Sequence, residues 1–303
     1  MELKNVKIDS GTKNTLLKIY NDIYTKINQN TIDVFLCGGT SNATYTSTRD
    51  KIREGMDEYK DIRILYPEDL FVEMLNKNKE YDLLSLERFL ANNCDIICIV
   101  CESDGSLVEL GAFTNNDETV NKVIAVIEEK RKKDKSFIML GPIKILRKMN
   151  KNQVVFYNEN NLNELNIKLQ KNFRLNKLKE IREKKKVTNK TLNTITGLYY
   201  FIPIMLNFFN SLSVDRISEY LKFLFHENNY GLDDFDTLFR TSLKLLYKDR
   251  YISKNIIEGE LVYLLTEKGY KNVNNVLNGA SIGQKTILYD RIRFAIIKKK
   301  YYS

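Results

Sequence analysis

The sequence predicts an α/β protein in which a doubly wound parallel sheet of about five strands precedes a mainly α-helical, winged helix-turn-helix part. Short apolar runs rich in β-branched residues alternate with helical patterns in the first half. Two helical patterns, a hairpin and another helix follow in the second half. The charge is also uneven, because residues 1–150 hold 22 Lys/Arg against 24 Asp/Glu and residues 151–303 hold 26 against 15. This asymmetry indicates two domains and favours a polyanion partner for the second, although a basic, solvated surface would give the same charge.

Five apolar runs are the predicted strands of the sheet. The run at 95–100 is nearly unbroken, which is typical of a strand buried on both faces of a parallel sheet. The others are at 32–37, 62–65, 123–127 and 154–156. Helical patterns precede, separate or follow them at 10–29, 46–59, 70–75, 83–91, from Leu107 onward, at 143–149 and at 161–186.

Three strand ends bring polar residues to the edge where open α/β sheets bind their ligands. The first strand ends in Gly38-Gly39, which suits a loop whose backbone N–H groups approach a phosphate or ribose, although a plain tight turn explains the pair equally well. The second is followed by Asp69, which is also a candidate helix cap. The third is followed by a turn and then Glu109, placed in the first turn of a helix, where the dipole favours an ionised carboxylate. From the residues alone, a catalytic Glu109 and a carboxylate that only stabilises its helix are about equally supported.

The C-terminal half has its own pattern. Ser213 is a predicted N-cap for a helix to residue 225, a second helix covers 236–249, and strands at 251–253 and 260–265 flank a turn at Glu258-Gly259. The second helix would present Arg240, Lys244 and Lys248 to a nucleic acid; the alternative is a helical oligomerisation module. The predicted domains are 1–158 for the sheet, 159–210 for basic connecting helices that include Lys184, Lys185 and Lys186, and 211–303 for the winged-helix part.

Several classes of site are disfavoured. Cys98 and Cys101 form a C-x-x-C, but on a strand these residues face opposite sides, so we interpret them as core residues. The single histidine, His226, has no other His or Cys/Asp cluster near it, which argues against a metal site or a Ser-His-Asp triad. The longest apolar run, 199–209, is too short for a membrane span, and no signal peptide is visible. We therefore expect a cytoplasmic protein that does not enter a membrane.

Five motifs occur in an order that resembles the effector proteins of type II retrons, which are antiphage systems. The most specific is the block from Glu102 to Phe113, with the pattern E-S-x-G-S-x-x-E-L-G-A-F. The others are Phe35-Leu36-Cys37-Gly38-Gly39, Tyr66-Pro67-Glu68-Asp69-Leu70-Phe71, Leu84-Ser85-Leu86-Glu87, and Ser136-Phe137 with Gly141-Pro142 and Leu146-Arg147-Lys148. The resemblance is close over 30–150 and extends over 160–303 in architecture only.

The resemblance implies a flavodoxin/Rossmann-like, nucleoside 2-deoxyribosyltransferase-like catalytic domain joined to a winged-helix domain. It implies a toxin that cleaves the N-glycosidic bond of NAD+, with NAD+ as substrate, no further cofactor and no metal. Glu109 matches the catalytic glutamate, and Asp69 is a candidate for ribose orientation. We expect substrate contacts from Cys37, Gly38, Gly39, Ser103, Gly105, Ser106, Asn115 and Asn116. The implied partners are a retron reverse transcriptase and its multicopy single-stranded DNA (msDNA) or noncoding RNA, together with self-association.

One carboxylate is sufficient for this chemistry. Nicotinamide leaves a cationic pyridinium as a neutral base, so the step needs no general acid, and the carboxylate acts as nucleophile or as partner of the oxocarbenium-like state. Two other functions compete with this one. The first is a nucleoside or deoxynucleotide N-glycosidase or deoxyribosyltransferase, and the second is a nucleotide-sensing, DNA-binding regulator without catalytic activity.

Overall fold

The computed structural model describes residues 7–27, 31–66, 93–184, 190–280 and 282–302. The chain divides into a sheet unit, Asn30–Val187, and a C-terminal unit, which combines Met1–Gln29 with Thr188–Ser303. The predicted α/β fold class is confirmed. The grouping of segments differs from the predicted boundaries 1–158, 159–210 and 211–303, because the opening helix packs in the C-terminal unit and the long helix Leu162–Lys184 packs in the sheet unit.

The opening helix is anchored by its apolar stripe. Helix α1 (Ser10–Lys18) continues as a π-helical turn, Ile19–Ile23, and a 3-10 turn, Tyr24–Lys26. The ring of Tyr24 is buried, and its hydroxyl donates to the carbonyl oxygens of Lys190 over 2.6 Å and Gly197 over 3.1 Å. These contacts are the physical reason why this segment belongs with residues far along the chain.

The sheet unit contains five parallel strands in the order β2-β1-β3-β4-β5. They are β1 (Ile32–Cys37), β2 (Ile62–Leu65), β3 (Ile96–Val100), β4 (Val123–Glu128) and β5 (Val154–Tyr157). Every residue of β1 and β3 is buried, as the apolar runs predicted.

Helices cover both faces of this sheet. They are α2 (Thr48–Met56), α3 (Asp104–Thr114), α4 (Phe137–Leu140), α5 (Pro142–Met149) and α6 (Leu162–Lys184). Helices α2 and α6 pack on the face that carries Val34 and Cys98, whereas α3 and α5 contact β4 on the other face. The predicted helices at 70–75 and 83–91 lie outside the described residues.

The C-terminal unit has the predicted order of helix, helix and hairpin, with one additional strand. Its elements are α7 (Ile195–Phe209), β6 (Ser211–Ser213), α8 (Val214–Glu227), α9 (Phe235–Lys248), β7 (Ile252–Ile257), β8 (Glu260–Leu265), α10 (Glu267–Gly279) and α11 (Lys285–Tyr302). The strands form an antiparallel sheet in the order β6-β8-β7. Ser213 caps α8 as predicted, because its Oγ accepts the N–H of Arg216.

The apolar helix α7 is almost entirely buried and contains Pro203 in its interior. Across the described residues, no helix combines the length and the apolar character that a membrane span requires.

Candidate functional site at the sheet switch point

The strand order places a topological switch point between β1 and β3. The chain leaves β1 for β2 on one side of it, while β3 continues the sheet on the other side. In open α/β sheets, ligands bind in the crevice beyond the carboxyl ends of the strands at such a point. Gly38 and Gly39 follow β1 there, and Glu102 follows β3.

Glu109 lies on α3 and is half-buried, beside the end of β1. Its carboxylate lies close enough to the thiol of Cys37, the last residue of β1, for its charge to act on that thiol. Burial, followed by the charge of Glu109, raises the pKa of the Cys37 thiol well above its ordinary value. A carboxylate is therefore held at the switch point, and it faces a neutral thiol.

The predicted position of Glu109 in the first helical turn is wrong. Helix α3 begins at Asp104 with Ser103 as its N-cap, so Asp104 is the acid of the first turn and Glu109 lies in the second. The helix dipole acts mainly on the first turn, and its effect on Glu109 is correspondingly smaller.

Ser103 and Ser106 cap this helix. The Oγ of Ser103 accepts the N–H of Ser106 over 3.3 Å, and the Oγ of Ser106 accepts the N–H of Ser103 over 3.1 Å. The Ser106 hydroxyl also donates to the Ser103 carbonyl oxygen over 2.7 Å. Gly105 is exposed. Both hydroxyls thus have partners within the helix start, and the predicted contacts of these three residues with substrate stay predictions.

Glu102 is the site residue that sequence reasoning missed. Its carboxylate accepts the N–H groups of Gly39, Thr48 and Arg49 over 3.1, 2.7 and 3.1 Å. The hydroxyl of Tyr45 lies 3.3 Å from the same carboxylate. One signal for this role was present: an acid follows two residues after a buried strand, at the same edge of the predicted sheet as the glycine pair.

Position 38 requires glycine because other side chains lie close to its backbone. A Cβ atom there would lie 3.0 Å from the Cβ of Arg49, 3.1 Å from Oε1 of Glu102 and 3.2 Å from the Cβ of Val100, at a φ of +158°. The backbone therefore passes between two other segments of the protein, and the predicted approach of this loop to a phosphate or ribose stays a prediction.

The loop after β1 is also tied to the end of β2. Asp50 accepts hydrogen bonds from the hydroxyls of Ser41 and Tyr66. Burial acts to raise the pKa of Asp50, but these hydrogen bonds outweigh it and hold the pKa below its ordinary value. The ring of Tyr66 lies 4.4 Å from the guanidinium carbon of Arg49 and 4.5 Å from that of Arg53. Asp69, which follows in the chain, lies outside the described residues.

Asn115 and Asn116 are at the far end of α3. Asn115 is exposed and is the C-cap of this helix, six residues after Glu109, or about 9 Å along the axis. The Oδ1 of Asn116 accepts the N–H of Glu118 over 2.9 Å. The predicted contacts of these two amides with substrate stay predictions.

The predicted basic residues of the C-terminal unit share one helix. Arg240, Lys244 and Lys248 recur every fourth residue on α9, so they lie on one face of it. Arg240 is half-buried, and the two lysines are exposed. Lys184 is the last residue of α6, its side chain is not described, and Lys185 and Lys186 lie outside the described residues.

The described residues contain no group of three or more His, Cys, Asp or Glu side chains that could hold a metal ion. All four cysteines are free and buried, as predicted for Cys98 and Cys101. His226 is 86% exposed at its side chain and lies near Glu227.

The fold and the site define a class: a two-part protein with a carboxylate at the switch point of a doubly wound sheet and a helix-helix-hairpin unit. Comparison with known families identifies the family to which the chain belongs. The model of the STM3845 retron effector protein family matches residues 45–254, so the chain belongs to this family of retron effectors.

Two relatives come from Escherichia coli. The chain is 30% identical over 270 residues to "Retron Ec86 putative ribosyltransferase/DNA-binding protein", an alignment that covers 86% of this chain and 80% of the relative. It is 34% identical over 117 residues to "Retron Ec73 putative ribosyltransferase/DNA-binding protein", covering 37% of each chain.

Proposed function

We propose that this retron effector is a toxin that cleaves the N-glycosidic bond of NAD+ and releases nicotinamide. The observation that carries the proposal is the position of Glu109, a half-buried carboxylate at the switch point between β1 and β3. We expect a ligand bound beyond the carboxyl ends of these strands to lie next to this carboxylate.

The reaction requires only a stabilised positive charge on the sugar. The bond between ribose C1′ and the ring nitrogen breaks, its electron pair stays on the nitrogen, and the pyridinium becomes neutral nicotinamide. C1′ gains oxocarbenium character, which the carboxylate of Glu109 stabilises as a counter-ion or as a nucleophile. A water oxygen then bonds to C1′ and its proton passes to solvent, giving a net hydrolysis.

The carboxylate of Glu109 favours a cationic leaving group. It lies at the switch point, whereas the carboxylate of Glu102 is bound by three backbone N–H groups and that of Asp50 lies 3.7 Å from the Nε of Arg49. Carboxylates attract the pyridinium ring of NAD+, whereas they offer no comparable attraction to the neutral base of a deoxynucleoside. The names of both E. coli relatives include ribosyltransferase, a class of chemistry that breaks the same kind of bond at C1′.

The experiment is nicotinamide release by the full chain, alone and together with its reverse transcriptase and msDNA. Glu109→Gln keeps the size of the side chain and removes its charge, and we expect it to lower the rate at least about 100-fold, on the scale of losing one electrostatic group in an active site. Asp104→Asn is the matched control, because Asp104 is an exposed carboxylate on the same helix. We expect this control to keep nearly all of the activity.

Two results would contradict the proposal. Intact NAD+ in every assembly, with cleavage of deoxynucleosides instead, would make the protein a nucleoside N-glycosidase at the same site. If neither substrate is cleaved and Glu109→Gln leaves cell toxicity unchanged, the sheet unit is a nucleotide sensor without catalytic activity.

The C-terminal unit supports association with the other retron components. Lys244 and Lys248 present two exposed cations on one face of α9, which follows α8 and precedes the β7-β8 hairpin in the order used by winged helices. We propose that this face contacts phosphates of the msDNA or its RNA while the effector is held with the reverse transcriptase in the cytoplasm. Self-association of the effector is part of the same proposal.

A further inference from the structure

The backbone amides that suit a phosphate in this cleft already have an anionic partner. They form an amide cluster, defined here as the N–H groups of Gly39, Thr48 and Arg49. All three donate to the carboxylate of Glu102, with Gly39 and Arg49 on Oε1 and Thr48 on Oε2.

Two of these amides belong to the start of a helix. Thr48 and Arg49 are the first two residues of α2, so their N–H groups have no acceptor within the helix. The third N–H of the helix, that of Asp50, donates to the Oγ of the N-cap Ser47 over 3.1 Å. The positive end of the helix dipole and these aligned donors are the features with which helices bind phosphate groups. Here the carboxylate of Glu102 occupies that position.

The same carboxylate joins four points on one loop. It connects β3 to Gly39 at the loop start, to Tyr45 in the middle through a hydroxyl contact of 3.3 Å, and to α2 at the loop end. Tyr45 is 50% exposed, so its ring stands at the surface beside the cleft. The position of this ring and of the glycine pair therefore depends on Glu102.

We propose that Glu102 is a positioning residue, an internal anion that fills the amide cluster and holds the loop from Gly39 to Arg49 against the cleft. Phosphate groups of the substrate are consequently bound elsewhere. This assignment is an alternative to the expectation that the glycine pair approaches a substrate phosphate, and it does not depend on which bond the enzyme cleaves. Only its kinetic consequence rests on the proposed function.

The decisive experiment measures thermal melting of the full chain with inorganic phosphate, compared with chloride at the same ionic strength. We expect Glu102→Ala to melt about 5–10 °C lower than wild type, because three amides lose a charged acceptor. Millimolar phosphate should restore at least about 2 °C of this loss by filling the vacated cluster, and it should leave wild type unchanged. Asp104→Ala, which removes a neighbouring exposed carboxylate, is the control and should respond like wild type.

A second measurement covers the case in which Glu102→Ala does not fold. Amide hydrogen exchange on wild type should show the segment 39–49 protected to the same degree with and without phosphate. Stronger protection of this segment by phosphate would mean that the cluster is open to substrate, which would overturn the proposal. Equal stabilisation of wild type and Glu102→Ala by phosphate, or no response in a folded Glu102→Ala, would overturn it too.

Kinetics then separates this proposal from the proposed function. If the chain releases nicotinamide, Glu102→Ala should lose most of kcat, and phosphate should recover part of it without a matching change for Asp104→Ala. If no NAD+ is consumed, the proposed function fails while the melting and exchange results still decide the role of Glu102.

Discussion

Replacing Lys177 by methionine should destabilise the sheet unit far more than replacing Arg174, which lies three residues earlier on the same helix. The Nζ of Lys177 lies 2.5 Å from Oδ1 of Asp95, and the two side chains are 7% and 13% exposed. The other carboxylate oxygen of Asp95 accepts the N–H of Asp33, which lies on β1, over 2.8 Å. Lys177 therefore neutralises a largely buried carboxylate that joins the starts of β1 and β3.

The magnitude follows from the burial of the partner that remains. Removing one member of a buried pair leaves an uncompensated charge and costs about 3–5 kcal/mol. For a unit of this size, that loss corresponds to roughly 6–20 °C in melting temperature. Arg174 forms two hydrogen bonds to Asp61, of 2.7 and 2.8 Å, but these side chains are 43% and 37% exposed, so Arg174→Met should cost about 1 kcal/mol or less.

The assay is urea and thermal unfolding of both variants, with hydrogen exchange used to assign the affected transition to the sheet unit. The double change Lys177→Met with Asp95→Asn should recover part of the loss, because it removes the stranded charge. Equal destabilisation by Lys177→Met and Arg174→Met would refute the reasoning. If Lys177→Met instead destabilised the C-terminal unit first, that result would contradict the placement of α6 in the sheet unit.

Two further predictions use charged groups at the surface. The hydrogen bonds from Arg174 hold the pKa of Asp61 below its ordinary value. The pair therefore stabilises the fold above about pH 4 and loses this contribution as the pH falls through the lowered pKa. The difference in unfolding free energy between wild type and Arg174→Met, measured in urea, should shrink between neutral pH and a pH of about 3. Lys244→Gln and Lys248→Gln should each reduce the slope of log affinity for msDNA against log salt concentration by about 0.7–0.9. The control Lys271→Gln on α10 should leave this slope unchanged. Equal slopes for all three variants would exclude α9 from the interface.

The strands of the sheet could be predicted closely because burial on both faces leaves a compositional signal. The predicted runs at 32–37 and 62–65 coincide with β1 and β2, and the run at 95–100 begins one residue before β3. Strand β6, in contrast, spans three residues, and its pairing with β8 arises from residues about 50 positions away, so no local pattern indicates it.

The grouping of segments could not be predicted for a related reason. An amphipathic pattern shows that a helix buries one face, but it does not show which surface covers that face. The partners of Tyr24, at positions 190 and 197, are more than 160 residues away in the sequence. For the same reason, the role of Glu102 could not be predicted, because its amide partners at 39, 48 and 49 are at least 53 positions away.

The start of α3 shows how a local signal changes the chemistry of the site. Reciprocal capping by Ser103 and Ser106 fixes the helix start at Asp104 and moves Glu109 into the second turn. A carboxylate in the first turn would be stabilised by the helix dipole, whereas Glu109 in the second turn lies beside the thiol of Cys37 at the end of β1. The position of this carboxylate at the switch point is therefore marked by a contact between helix α3 and the last residue of β1. The acid of the first turn, Asp104, is exposed, and a comparison of the two acids consequently distinguishes a catalytic carboxylate from one that only stabilises its helix.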